Sequence, residues 1–345
     1  METEQLLRQY DEIPFANVSF VTRRLADQLI AAAAQDADVN RELPPKGTLA
    51  WGQKYLGKHF AKRASAMHVW LGEHLDSLHA NRGTKINIIG PRGSAKSTIA
   101  TLCYVLRAAL EGWEPYIWIV SDTIPQAQLH LKNVRAELVE NRLLARDYPH
   151  SIGLGSICRA DAIELANQVV IESVSTGQRI RGRRLRHYRP SLIICDDLQN
   201  DSHISSRLQR EESAQWFRGL LLRAGNTRTN IVNLATALHR DALALQLHHA
   251  PGWTSERFAA IRTWPTNMEL WQQWETIYAN PANRNAKQDA QSFYDEHRAA
   301  MDLGAVVLWE DEEDLYALMQ MRVESGAAAF EREKQGSPTD PDTCE

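Results

Sequence analysis

One stretch limits what this chain can become more than any other. Lys85-Ile86-Asn87-Ile88-Ile89 is a short apolar run, and Gly90-Pro91-Arg92-Gly93-Ser94-Ala95-Lys96-Ser97 follows it at once. Beyond the loop, Ile99, Leu102, Val105, Leu106 and Leu110 recur at helical spacing along one face. A strand that turns through glycines into an amphipathic helix is half of a βαβ unit, so the chain is expected to build an open parallel sheet. The loop has the spacing G-x-x-x-x-[G]-K-[ST] that cradles phosphate. Gly90 and Gly93 let backbone N–H groups turn inward, and the helix start adds its positive dipole end. Lys96 is placed to reach the β- and γ-phosphates of ATP, and the Ser97 hydroxyl to ligate Mg²⁺. The expected nucleotide contacts are therefore Gly90, Pro91, Arg92, Gly93, Ser94, Ala95, Lys96, Ser97 and Thr98. Alanine stands at 95 where glycine is usual, which a near-helical backbone would tolerate. The bland alternative is an ordinary glycine turn, and the strand before and helix after argue against it.

Other strands end in chemistry. Leu192-Ile193-Ile194-Cys195 delivers Asp196-Asp197 at its C-terminal end. Phosphoryl transfer needs one acid to hold Mg²⁺ and another to orient water. Asp196 suits the first role and Asp197 the second, although Asp197 is shorter than the glutamate often found there. Ile231–Ala235 ends in Thr236, a hydroxyl suited to sensing the γ-phosphate and passing the change on through Ala237-Leu238-His239-Arg240-Asp241. Arg92, inside the loop, is a candidate for stabilising transition-state charge in cis. Tyr116–Val120 and Val169–Val174 are further strands, and long helices are expected over Met67–Leu78 and Pro125–Leu144. His130, Lys132 and Arg135 on the second of these read as a solvated face. The strand ends are where such sheets bind ligands.

Charge is concentrated in one place. The net charge is −4, so the chain is no polycation and contact with nucleic acid needs a local patch. Gln178 to Arg189 supplies one: Arg179, Arg181, Arg183 and Arg184 are candidates for DNA-backbone contact or for a finger into a neighbouring subunit's site. A solvated or ion-paired basic loop is the alternative. Cys103, Cys158, Cys195 and Cys344 lack metal-ligand spacing and read as reduced thiols. No apolar run reaches the roughly 20 residues needed to span a membrane, and the N-terminus has no signal-peptide pattern. Residues 1–82 are expected to be a helical N-terminal region, 83–263 the sheet core, 264–335 a helical, tryptophan-rich subdomain, and 336–345 a mobile tail.

Taken in order, these motifs resemble the ATPase domain of the large terminase subunit of tailed phages. The likeness runs through Trp51-Gly52-Gln53-Lys54-Tyr55-Leu56, Gly90–Thr98, Val120-Ser121-Asp122-Thr123, Ile180-Arg181-Gly182, Ile193–Asp197 with Asn200-Asp201, Thr236–Asp241, Trp264-Pro265 and Leu308-Trp309. It implies a P-loop NTPase of the additional-strand class, using ATP and Mg²⁺ to drive double-stranded DNA into a procapsid. It further implies a ring, usually a pentamer, on the portal protein, a small terminase subunit as partner, and a place in the host cytoplasm outside the mature virion. Adenine contacts would come from the segment before the loop: Gln53, Tyr55 and His68. The family usually continues into a nuclease domain, whose carboxylate cluster has no counterpart here, so a separate nuclease is expected to cut. Another P-loop translocase or helicase, or a nucleotide-binding subunit with negligible turnover alone, are the alternatives.

Overall fold

The computed structural model describes residues 43–199 and 207–338. The helix expected near the N-terminus, Asn200-Asp201, Cys344 and most of the expected tail lie outside the described residues. The chain starts with α1 (Thr48–Tyr55) and α2 (Ala66–Ser77), then β1 (Lys85–Ile89) and α3, whose first part (Thr98–Tyr104) is a π-helix and whose second (Val105–Leu110) is α-helical. β2 (Tyr116–Ser121), α4 (Ile124–Glu140) and α5 (Arg142–Asp147) follow. Then come β3 (Leu154–Cys158), β4 (Ala162–Leu165), β5 (Val170–Ser175), β6 (Leu192–Asp196), α6 (Arg207–Gly219), β7 (Asn230–Ala235), α7 (Leu243–His248) and β8 (Thr254–Arg257).

The eight strands run in the order β3-β4-β5-β2-β6-β7-β1-β8. From β5 to β8 every pairing is parallel, and β3 and β4 add an antiparallel edge. The loop strand β1 and the acid strand β6 are not neighbours, because β7 lies between them. That inserted strand is what defines the additional-strand class of P-loop NTPase. Register then places the chemistry: Ile89 pairs with Ala235 and Asp196 with Leu234. Gly90, Thr236 and Asp197 therefore leave the same edge of the sheet side by side.

Both faces of the sheet are covered, which explains strands that read as continuous apolar runs. Ile86, Ile88, Ile117, Ile119, Ile194 and Val232 pack with Met67, Leu71 and Tyr104. Their alternates Trp118, Val120, Ile193 and Ile231 pack with Trp216 and Phe217 on the other side. Two buried asparagines form a chain of hydrogen bonds: Asn233 Nδ2 donates to Asn87 Oδ1 at 2.8 Å, and Asn87 Nδ2 to the Ala244 carbonyl at 3.0 Å.

A third layer follows: β9 (Ile261–Thr263), α8 (Met268–Tyr278), α9 (Ala286–Met301), β10 (Val306–Val307), α10 (Leu315–Ser325) and α11 (Ala327–Glu333). Trp271, Trp274, Tyr294, Met301 and Phe330 form its core. No helix among the described residues is long and apolar enough to cross a membrane.

Three local expectations are corrected, and one hairpin is added. The helix over 125–144 is two helices, because Asn141 takes φ −83°, ψ 102° and its side chain accepts from Leu143 and Leu144 N–H, capping the second. The helix after the loop begins as a π-helix, a form concentrated at functional sites. The hairpin of β3 and β4 was not read from the sequence at all. The start of the expected mobile tail is tied down: Arg257 donates to Ser337 Oγ at 2.6 Å, and Ser337 N–H to the Glu331 carbonyl at 2.9 Å.

Candidate active site

The loop between β1 and α3 walls a cleft of about 370 Å³, lined by residues 92–98 together with Asp197, Thr236, Trp309 and Glu312. Two glycines make its shape. Gly93 has φ 82°, and a Cβ on Gly90 would lie 2.7 Å from Met67 Sδ. Ala95 does not have the near-helical backbone expected of it: φ is 57°, in the left-handed region. An alanine there carries strain of roughly 1–2 kcal/mol. Asp197 also sits at positive φ, 48°. Two non-glycine residues in this region therefore flank one cleft, and such strain gathers at functional sites.

Lys96 is buried, and its Nζ donates to the Gly90 carbonyl at 2.9 Å and the Pro91 carbonyl at 2.8 Å. Burial lowers its pKa, opposed by the charges of Asp197 and Asp196. Ser97 Oγ donates to Asp196 Oδ1 at 2.9 Å, so hydroxyl and acid meet although their strands are separated by β7. Thr101 Oγ1 donates to the other oxygen, Oδ2, at 2.5 Å, and His130 Nε2 lies 3.6 Å from it. Asp197 reaches solvent at the cleft mouth, yet its crowded walls make desolvation the largest influence on it. Its carboxyl pKa is raised by that desolvation and by Asp196, against the pull of Lys96, Arg92 and the Thr236 N–H. A hydroxyl and a carboxylate already touching are a donor set that suits Mg²⁺, which takes one or two protein oxygens beside nucleotide phosphates. Among the described residues no cluster of three or more His, Cys, Asp or Glu could hold a metal by itself.

Arg92 is exposed and engages Glu333, with Nε 3.2 Å from Oε2, while its N–H donates to the Glu333 carbonyl at 2.9 Å. Lys334 Nζ returns a bond to the Arg92 carbonyl at 2.9 Å. The end of α11 is thus fastened to the loop.

The adenine-side residues expected from the sequence are placed elsewhere. Tyr55 is buried and donates to Asp147 Oδ2 at 2.7 Å, and Gln53 is exposed on α1; neither lines the cleft. His68 lies behind the loop. Its Nδ1 accepts from Ser65 N–H at 3.0 Å, so Nε2 carries the proton and donates to the Ser94 carbonyl at 2.8 Å. Burial lowers its pKa from 6.5. It buttresses the loop from below.

The arginine run divides. Arg183 donates to Glu172 at 3.1 Å, Arg186 to Glu164 at 2.9 Å and Arg189 to the Ala224 carbonyl at 3.1 Å, so buried or half-buried partners hold these three. Arg179, Arg181 and Arg184 remain on the surface. A second basic group lies elsewhere. Arg207, Arg210, Arg218, Arg223 and Arg240, with Glu211 and Asp241, line a groove of about 930 Å³.

Thr101, His130 and Trp309 were not anticipated in the site. Thr101 had a signal, since it stands one helical turn after Ser97. His130, read as part of a solvated face, is brought to Asp196 by the packing of α4 on the sheet, and Trp309 comes from the third layer; neither had any local signal.

No protein-family model matches the sequence, and no curated protein matches it. Among solved structures, the ATPase domain of the Thermus phage P74-26 large terminase aligns over 86% of this chain and 99% of its own, at 12% identity and TM-score 0.44. The large terminase of bacteriophage HK97 aligns over 68% of this chain and 47% of its own, at 14% identity and TM-score 0.36. The large terminase of another thermophilic bacteriophage, in complex with ADP, aligns over 64% and 51%, at 11% identity and TM-score 0.35. These overall superpositions are loose, and the fold assignment rests on strand order and register. The chain is similar to phage large terminases in structure as it resembles them in motif order.

Proposed function

We propose that this chain is the ATP-hydrolysing motor of a phage large terminase, which uses ATP and Mg²⁺ to move double-stranded DNA into a procapsid. The observation that carries the reading is the 2.9 Å bond from Ser97 to Asp196, which closes the phosphate loop onto the acid strand with Asp197 and Thr236 at the same cleft. Lys96, held inside the loop by two carbonyls, is poised to exchange them for phosphate oxygens. Asp197 orients and deprotonates the attacking water, and its raised pKa makes it a better proton acceptor than an ordinary aspartate. Ser97 and Asp196 would hold Mg²⁺, which neutralises charge on the β- and γ-oxygens when bound.

Thr236 lines the cleft, and Arg240 and Asp241 line the arginine groove. One short segment thus connects the hydrolysis site to a groove lined by five guanidiniums, and this groove is our preferred DNA contact. In the same proposal the motor works in the host cytoplasm as a ring on the portal protein, beside a small terminase subunit.

The test is ATP hydrolysis with and without Mg²⁺, DNA and procapsids. Hydrolysis should require Mg²⁺, rise with DNA and vanish in Lys96→Ala. Turnover persisting in Lys96→Ala would remove the site assignment. Separation of a forked duplex would move the reading from translocase to helicase.

A further inference from the structure

The cleft is lined by Lys96 and Arg92, whose charges suit a phosphate chain, and also by Trp309, an aromatic wall that suits the uncharged part of a nucleotide.

Trp309 is built to receive it. The residue follows β10 and is half-buried. Its Nε1 donates to the Arg63 carbonyl at 2.7 Å, which uses its single polar group. The His68 ring sits 4.5 Å from it at 87°, edge against face. Lys62 Nζ lies 6.0 Å from the indole centroid and pairs with Glu312 at 2.6 Å, while Arg63 pairs with Asp311. The indole and the chain just after it are therefore pinned to the segment before α2. A pinned indole with its donor already committed offers the cleft a π surface, and every nucleobase has a π face to lay on it.

We infer that Trp309 is the nucleobase platform of this site, a binding residue supplied by the third layer in place of the expected Gln53 and Tyr55. The inference rests on the nucleotide reading above. Because stacking is blind to hydrogen-bond pattern, the platform accepts purines other than adenine. The base lies across two layers, so binding it joins the sheet core to the helical layer.

The test separates the two ends of the ligand. ATP and inorganic tripolyphosphate are titrated by calorimetry into wild type, Trp309→Ala, Trp309→Phe and Lys96→Ala. Trp309→Ala should weaken ATP binding on the order of ten-fold or more. It should leave tripolyphosphate affinity unchanged, and Trp309→Phe should keep most of the ATP affinity. Unchanged ATP affinity in Trp309→Ala, or equal weakening of both ligands, would overturn the inference. Should the alanine variant melt below wild type, Trp309→Leu repeats the comparison with apolar bulk but no aromatic face. Lys96→Ala is the separate control: if it binds both ligands as wild type does, the phosphate loop is not a nucleotide site at all.

Discussion

The loop cleft and the arginine groove are both lined by cationic side chains, and they are made in opposite ways. The cleft is formed by backbone and short side chains, contiguous in sequence at 90–98 and completed by strand ends that the sheet register fixes. The groove is formed by five long side chains drawn from positions 207 to 240, reaching across a space more than twice as large. The first can hold one phosphate chain in one geometry. The second presents charge with little geometry, which suits a repeating backbone that must slip past. The difference teaches that a basic stretch contiguous in sequence and a basic groove assembled in space are separate features, and neither is read from the other. In both, neighbours hold part of the charge: Arg183, Arg186 and Arg189 meet Glu172, Glu164 and a carbonyl, while Arg207, Arg210 and Arg240 meet Glu211 and Asp241.

The largest expected effect probes the cleft. Asp197→Asn should lower turnover by roughly 10²–10⁴-fold with nucleotide affinity kept. The same change should stabilise the fold. A carboxyl whose folded pKa lies above its ordinary 3.8 binds protons more tightly when folded, so its contribution to stability is present below that value and is lost as pH rises through the folded pKa. At neutral pH the charge is therefore a burden that asparagine removes, and asparagine also suits φ 48°. Turnover and melting temperature measured together check both halves. In wild type, turnover should fall on acidification from a pH above 3.8.

The next effect sets groove against run. Arg218→Glu with Arg223→Glu should weaken duplex binding and lower the magnitude of the salt slope by about 2, as expected for two lost phosphate contacts. Arg181→Glu with Arg184→Glu should change it less. Binding isotherms across salt concentrations decide, and a reversed order would return the DNA contact to the 179–189 run.

The smallest effect concerns strain in the loop. Ala95→Gly should relieve the left-handed backbone and raise stability by up to about 1 kcal/mol after the entropy of glycine is subtracted. Chemical denaturation measures it. A loss of stability would mean that the Ala95 methyl contributes more by contact than its backbone loses by strain.

What could be read from the sequence was what is contiguous. Strand, loop and helix adjoin at 85–110, and the acid pair follows its strand directly, so the fold class and the placing of the loop, the acid pair and Thr236 at one sheet end were legible. Ala95 was not, because a residue type does not report φ when tertiary contacts fix the turn. The β3–β4 hairpin escaped because Gly155 and Ser156 interrupt it and its outer strand is largely exposed, leaving no clean alternation. Asn141 was hidden inside a run with helical periodicity, where only its cap geometry marks a break. Trp309 and the groove are assembled from distant segments, and nothing local distinguishes their residues from ordinary surface or core.

The fastening of α11 to the phosphate loop has a mechanical consequence. Arg92 is bonded to Glu333 and Lys334 through both main chain and side chain, and Ala260 N–H donates to the Lys334 carbonyl at 2.8 Å. Loop and helix therefore share one anchorage, like a trigger and the bar it moves. A displacement of Arg92 would be passed through these bonds to the last turn of α11. Whatever is joined to that turn would register the state of the cleft as a push or a pull.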